Sequence, residues 1–141
     1  MYQITYEKML DKIYGGWYGK CLGGAAGAPV EGIKKINEIE DFSSILNPDL
    51  PNDDLDLQLL WLEVLEQKGV QITSCDLADA WIEKCWYPFS EYGYFMKNYE
   101  RGILPPYSGI INNDFFKEGM GCPIRSEIWG MICAGNPKLA V

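Results

Sequence analysis

The sequence contains no histidine, and this absence excludes several kinds of active site. Histidine is the usual general base of Ser-His-Asp and Cys-His sites, and it belongs to most zinc ligand sets that catalyse reactions. Any chemistry of this chain must therefore come from carboxylates, lysine, tyrosine, cysteine or a metal ion held by oxygen atoms.

Positive charge is also scarce. The chain has 12 basic and 20 acidic residues, which gives a net charge of −8, and no basic run interrupts the sequence. Proteins that bind nucleic acid or an anionic membrane surface normally offer a concentration of lysine and arginine. We therefore expect no direct binding of nucleic acid and no membrane partner, whereas a small phosphorylated ligand held by a metal ion or by backbone amides is compatible with this charge.

Cysteine is too sparse and too irregular for a disulfide framework. The five cysteines are odd in number and form no C-x-x-C pair: Cys21, Cys75, Cys85, Cys122 and Cys133. We expect all five to be free thiols buried as small apolar residues in a reducing compartment. Residues 1–8 have neither the charged nor the apolar region of a secretory signal, so the sequence predicts a cytoplasmic protein.

Convincing strand patterns are missing as well, so the fold class is predicted to be all-α. The chain of 141 residues is 48% hydrophobic and 13% aromatic, enough for one folded domain with a proper core. Residues 5–27 have helical apolar spacing. Within them Gly15, Gly19, Gly23 and Gly27 recur every fourth residue, a ridge that we expect to let a neighbouring backbone approach closely. We predict a single all-α domain over residues 1–141.

Three aspartates and an asparagine stand at the start of a second helix that is apolar almost all round. They are Asn52, Asp53, Asp54 and Asp56, followed by the leucine-rich stretch that ends at Leu65. A helix with so wide an apolar surface is normally buried, and crowded carboxylates near a buried surface are costly to keep ionised. A bound cation removes that cost, so the stretch predicts a metal site.

The acidic stretch has two other interpretations. The first is helix capping, because Asn and Asp are favoured at helix starts, although Asn52 by itself would supply the cap. The second is a calcium loop of the EF-hand type, which needs glycine at its sixth position for a sharp turn. Leu57 stands at that position, so this alternative is rejected.

Three more helices are predicted downstream. Residues 73–76 form a capping box before a third helix, Ser90 caps a fourth from Glu91 to Arg101, and Pro123 opens a fifth. The glycine-rich loop of residues 102–122 is long and aromatic, which indicates an ordered, functional loop. The start of the fifth helix is compatible with an anion site, or equally with a plain join in which Arg125 forms a salt bridge.

The end of the sequence predicts a helix that has barely begun. Asn136 and Pro137 are typical of a helix start, but residues 138–141 supply about one turn, too little to be stable alone. We therefore expect the chain to be the front part of a longer protein.

Three ordered motifs resemble the ADP-ribosylglycohydrolase family: the turn of residues 27–31, the run Asn52–Asp54, and the segment of residues 121–125. The resemblance covers nearly the whole chain but about half or less of the family's fold. It implies a multi-helix orthogonal bundle, here truncated, and a hydrolase that cleaves the glycosidic bond of an ADP-ribosylated protein or small molecule.

The resemblance also assigns roles to residues. It places the catalytic carboxylate at Glu31 and a pair of Mg²⁺ or Mn²⁺ ions at Asn52, Asp53 and Asp54, with Asp56 as a substitute ligand. It places ADP-ribose beside Gly121, Cys122 and Arg125. The family's second acidic motif would lie beyond residue 141, so the resemblance implies a dinuclear site that is incomplete here and a chain that is inactive without its missing C-terminal portion.

The sequence also departs from the family pattern. Asn52 replaces a hydroxyl residue, Leu55 replaces a threonine, and Gly24 stands where many members have aspartate. Two alternatives therefore stay open: a non-catalytic module that binds ADP-ribose or a nucleotide, and a purely structural helical domain in which the acids cap a helix.

Overall fold

The computed structural model describes residues 3–140. These residues form helices, 3-10 turns and loops and contain no strand, so the all-α prediction is confirmed. Five α-helices follow one another within these described residues: α1 (Tyr6–Gly27), α2 (Asp53–Lys68), α3 (Ser74–Lys84), α4 (Ser90–Glu100) and α5 (Glu127–Ile132). None of the helices in this described part has the length and apolar content needed to cross a bilayer.

Internal contacts divide the chain into two compact units. Residues 1–56 with 129–141 form the first unit, and residues 57–128 form the second. The prediction of one domain over residues 1–141 stays a prediction.

In the first unit, α1 begins where the sequence predicts. The side chain of Thr5 accepts a hydrogen bond from the backbone N of Lys8 at 3.3 Å, which satisfies one of the amides left unpaired at a helix start. No residue of α1 is buried. Large apolar side chains four residues apart are exposed along it: Tyr6, Leu10, Tyr14, Tyr18 and Leu22.

The prediction that a neighbouring backbone approaches the glycine ridge of α1 closely is wrong. A Cβ atom placed on Gly15, Gly19, Gly23 or Gly27 would have no neighbour within 4 Å among the described residues. The close contacts are instead at Gly16, where a Cβ would lie 2.8 Å from Met131 Cε, and at Gly24. A fourfold spacing identifies one stripe of a helix, but it does not tell which stripe is packed.

The second unit is built around two tryptophans. Trp61 of α2 and Trp81 of α3 are both buried, with ring centroids 5.8 Å apart. Trp81 also meets Tyr92 and Phe95 of α4 edge-on, at 4.9 and 5.9 Å. Such offset and edge contacts are favourable beyond the area they bury, so three helices meet at one aromatic cluster.

A buried asparagine orders the long loop that follows α4. Asn98 is 2% exposed, and its Nδ2 donates to the backbone oxygens of Ser108 and Ile111 at 2.9 and 2.5 Å. Asn113, also buried, donates to the backbone oxygen of Gly109 at 2.9 Å. These bonds satisfy carbonyl groups that have no helix partner, and they confirm that this loop is ordered.

Several local predictions need correction. Ser90 does not cap α4: it is the first helical residue, with φ of +47°, and Phe89 precedes it without a side-chain cap. Pro123 opens a 3-10 turn, Pro123–Arg125, and α5 begins later, at Glu127. Residues 137–139 form turns, which agrees with the expectation that the single helical turn begun at Asn136 and Pro137 is too short to be stable alone.

Burial also differs from the prediction at the cysteines and on α2. All five cysteines are free, as predicted, but none is buried, and Cys21 and Cys122 are exposed. On α2, Leu57, Leu60, Trp61 and Val64 are buried, whereas Leu59 is 52% exposed. Hydrophobic composition marks a residue as suited to the interior, but the packing around a helix decides which of its faces is covered.

Candidate functional site

The start of α2 is capped by Asn52. Its Oδ1 accepts a hydrogen bond from the backbone N of Leu55 at 3.3 Å, and its backbone oxygen accepts from the N of Asp56 at 3.2 Å. Asn52 alone therefore caps the helix, and the neighbouring carboxylates are not needed for capping. Asp53 and Asp56 are exposed, and Asp54 is half-buried.

The C-terminal part of α1 lies against this capped start. The backbone N of Asn47 donates to the oxygen of Ala25 at 2.9 Å. A Cβ atom on Gly24 would overlap the side-chain amide of Asn52. Glycine at position 24, where many members of the resembled family have aspartate, therefore makes room for the asparagine that caps α2.

Glu31 follows α1 after one 3-10 turn. The turn, Ala28–Val30, is closed by the N of Glu31 donating to the oxygen of Ala28 at 3.3 Å. Glu31 itself is exposed, and Gly32 after it has φ of +73°, a conformation that favours glycine. Glu31 and the acidic start of α2 belong to the same compact unit.

The donor chemistry of the acidic stretch suits magnesium or manganese, but the number of converging ligands is low. Carboxylate and amide oxygens are the ligands that hard divalent ions prefer. Among residues 3–140, however, no three Asp, Glu or Cys side chains converge to form a group that could hold a metal ion. The metal roles of Asn52, Asp53, Asp54 and Asp56 stay predictions, as does the catalytic role of Glu31.

The segment Gly121–Arg125 lies in the second unit, packed on α4. Gly121 is buried, and a Cβ atom there would overlap the Glu91 carboxylate and lie 3.0 Å from Tyr92 Cε1. A larger residue at this position would have to displace the Glu91 carboxylate, so glycine allows the loop to approach α4 closely. Cys122 is exposed.

Arg125 ends this segment on an aromatic surface. Its Cζ lies 4.9 Å from the ring centroid of Trp81 and 5.4 Å from that of Tyr92, distances typical of cation–π contacts. Its Nη1 is buried and has no hydrogen-bond partner among the described residues. In place of the salt bridge that the sequence allows for this arginine, the structure shows these aromatic contacts. Contact of Gly121, Cys122 and Arg125 with ADP-ribose stays a prediction.

Sequence reasoning missed two features of the second unit. The first is a cavity of about 490 Å³ with Arg125 on its wall, beside Trp81 and Glu91. The second is Gln58, which is fully buried although neither of its side-chain polar atoms has a partner within residues 3–140. The sequence signal for the buried Gln58 was a single glutamine within a run of leucines. No local pattern predicts the cavity, because its lining residues come from distant parts of the chain.

Comparison with known proteins gives one match. A family model described as ADP-ribosylglycohydrolase matches residues 5–141, nearly the whole chain. No curated protein and no solved structure matched. Together with the helical fold and the ordered motifs, this match supports an ADP-ribosylglycohydrolase-like hydrolase. The chain belongs to the ADP-ribosylglycohydrolase family.

Proposed function

We propose that this chain is part of a divalent-metal-dependent hydrolase that cleaves the glycosidic bond between ADP-ribose and its acceptor, a protein or a small molecule. Family membership supports the reaction class. The observation that carries the residue assignment is the contact between the end of α1 and the start of α2, at Gly24 and Asn52. It puts the acidic stretch beside the helix that leads into Glu31.

The roles follow from chemistry and exposure. Asp53 and Asp54 offer oxygen ligands to Mg²⁺ or Mn²⁺, with Asp56 one turn further along the helix. When bound, such ions orient the ribose hydroxyl groups and favour attack by water. Glu31, exposed on its turn, can assist that water or steady an oxocarbenium-like transition state.

The loop of residues 121–125 is proposed to contact ADP-ribose mainly through Gly121 and Cys122. Gly121 fixes the close approach of the loop to α4, and Cys122 is exposed at its surface. Arg125 holds the loop through its contacts with Trp81 and Tyr92. A reducing compartment such as the cytoplasm is proposed on the free state of all five cysteines.

We further propose that the 141-residue chain is inactive by itself. Its described carboxylates bring fewer than three ligands together, whereas a two-metal site must hold both ions in fixed positions. The same observation favours a second candidate, a module that binds ADP-ribose without cleaving it. Leu55, in the place of a family threonine, favours it too.

Metal titration tests the first proposal. Binding of Mn²⁺ would be measured by calorimetry for the unaltered chain, Asp53→Ala and Asp54→Ala, with the exposed Asp11→Ala on α1 as control. We expect weak binding that each α2 substitution lowers about ten-fold and that Asp11→Ala leaves unchanged. Equal affinities in all four proteins would refute the metal site.

Turnover separates the remaining candidates. Release of ADP-ribose from ADP-ribosylated arginine, serine and nucleotide substrates would be followed with Mn²⁺ present, and ADP-ribose binding would be measured in parallel. Release by the unaltered chain would disprove its inactivity. ADP-ribose binding without release, unaffected by Glu31→Gln, would select the non-catalytic module. A melting temperature that neither Mn²⁺ nor ADP-ribose changes would favour the purely structural domain.

A further inference from the structure

One carboxylate on the wall of the second unit's cavity is open to a ligand. Glu91, in the first turn of α4, lines the cavity of about 490 Å³ and is half-buried. Within residues 3–140 its carboxylate has no hydrogen bond and no ion pair, and its oxygens are not among the enclosed polar atoms that lack a partner. Both oxygens are therefore accessible acceptors that the described part of the protein does not use.

The position of this carboxylate is set by its neighbours. Tyr92, the next residue, packs edge-on against the buried Trp81 with ring centroids 4.9 Å apart, which fixes the first turn of α4. A Cβ atom on Gly119 would lie 3.4 Å from Glu91 Oε2, and one on Gly121 would overlap the carboxylate. A molecule at Glu91 can therefore approach bare backbone, and it meets the loop that is proposed to contact ADP-ribose.

The charges of the wall decide which donors suit Glu91. Lys117 and Arg125 line the same cavity, so a third cation beside Glu91 would meet two like charges. The donors that remain are neutral, and two adjacent hydroxyl groups match the two oxygens of one carboxylate. Lys117 is exposed, and its 3.1 Å ion pair with the exposed Asp114 is of a kind that contributes little. This lysine is therefore available to a phosphate, and the wall suits a nucleotide.

We propose that Glu91 is a specificity-determining residue that accepts hydrogen bonds from the 2′- and 3′-hydroxyl groups of the adenosine ribose of ADP-ribose. The other ribose, at the scissile bond, is the one assigned to the metal ions and Glu31. Carboxylates recognise ribose hydroxyl groups in the same manner in dinucleotide-binding folds. This inference rests on the proposed function, because it takes ADP-ribose as the ligand.

Two nucleotides that differ by one hydroxyl group test the assignment. ADP and 2′-deoxy-ADP both lack the ribose of the scissile bond, so the binding of neither depends on hydrolysis. Calorimetry of the unaltered chain is expected to show that ADP binds about ten-fold more tightly than 2′-deoxy-ADP, because the 2′-hydroxyl donates to a charged acceptor. Equal affinities, or no binding of ADP, would overturn the inference.

Variants connect the hydroxyl group to Glu91. Glu91→Gln is expected to weaken ADP binding about ten-fold and to reduce the preference for ADP over 2′-deoxy-ADP to less than about two-fold. A merely structural role, such as holding the glycine loop, would weaken both nucleotides equally and keep their ratio, and that outcome would overturn the assignment. Circular dichroism checks the fold of Glu91→Gln, and the comparison of the two nucleotides in the unaltered chain is independent of it.

Two control variants keep the hydroxyl group and the phosphates apart. Glu100→Gln, at the exposed end of the same helix, should leave both affinities unchanged. Lys117→Gln should weaken ADP and 2′-deoxy-ADP by the same factor, because the phosphates are common to both. Loss of the preference for ADP in either control would overturn the role of Glu91.

Metal titration separates this inference from the proposed hydrolase. Mn²⁺ binding that depends on Asp53 and Asp54, together with nucleotide binding that ignores the 2′-hydroxyl, would overturn the role of Glu91 alone. A preference for ADP that Glu91→Gln abolishes, without any binding of Mn²⁺, would refute the metal-dependent hydrolase and leave the role of Glu91 standing.

Discussion

At the scale of single residues, Gly24 is the clearest link between packing and the candidate site. Gly23 and Gly24 are neighbours on α1, but a Cβ atom is free of neighbours at Gly23 and overlaps Asn52 at Gly24. Alanine in place of glycine stabilises a helix interior by about 1 kcal/mol. At position 24 it must also displace the amide that caps α2, which costs about 1 kcal/mol.

Gly23→Ala is therefore expected to raise the free energy of unfolding by about 1 kcal/mol, whereas Gly24→Ala brings no gain or a small loss. Urea denaturation of the two variants measures the difference. The same displacement of Asn52 should weaken Mn²⁺ binding in Gly24→Ala alone. Equal midpoints for both variants would contradict the contact between Gly24 and Asn52.

Gln58 allows a second prediction at this scale. It is 0% exposed, and both its amide nitrogen and its carbonyl oxygen lack partners within the described residues. Methionine has a similar length and flexibility without the cost of an unpaired amide. Gln58→Met is expected to stabilise the protein by about 1–3 kcal/mol.

Gln67 on the same helix is the control. It is exposed, and its Nε2 donates a hydrogen bond to Glu63 Oε1 at 3.0 Å. Gln67→Met should change the free energy of unfolding by less than about 0.5 kcal/mol. Thermal melts followed by circular dichroism compare the two. Destabilisation by Gln58→Met would mean that the buried amide does have a partner in solution.

At the scale of elements, the start of α3 shows that a local sequence signal can be sufficient. The predicted capping box is confirmed: the N of Asp76 donates to Thr73 Oγ1 at 3.3 Å, and the N of Thr73 donates to Asp76 Oδ2 at 2.8 Å. Lys68, at the end of α2, also donates to the Asp76 carboxylate. All of these partners lie within nine residues of chain.

These hydrogen bonds make the start of α3 sensitive to acid. The bond from Lys68, followed by those from Thr73, lowers the pKa of Asp76 from 3.8 to about 2. Because the folded-state pKa is lowered, the stabilisation is complete above pH 3.8 and is lost as the pH falls from there to about 2. Asp76→Asn should lose less stability across that interval than the unaltered protein.

Urea unfolding at pH values spanning this interval measures the effect. Asp11→Asn, at an exposed position, is the control and should keep the acid dependence of the unaltered chain. Identical pH profiles for Asp76→Asn and the unaltered protein would contradict the role of the carboxylate.

At the scale of the whole molecule, burial is unevenly shared between the helices. α1 contains six glycines and no buried residue, whereas α2 buries Leu57, Gln58, Leu60, Trp61 and Val64. Local opening is easiest where few apolar contacts must be broken. The long first helix is therefore expected to open more readily than the helix that carries the acidic stretch.

Amide hydrogen exchange tests this expectation. The amides of residues 10–24 should exchange at least about ten-fold faster than those of residues 57–64, after correction for intrinsic rates. Protection of α1 equal to that of α2 would show that its exposed apolar side chains are covered in solution.

The sequence by itself determined the helical class, the capping box, the extent of α1 and the family, because each depends on side-chain types at short spacing along the chain. A capping box needs only two suitable side chains three positions apart. Apolar residues that repeat with a period of 3.6 residues are enough to indicate a helix. Tertiary structure alone decided which glycines are packed, which leucines of α2 are buried, and that Arg125 lies against Trp81 and Tyr92. Those outcomes depend on residues far apart in the chain. Whether a side chain is buried or in contact is decided only by the second element that packs against it.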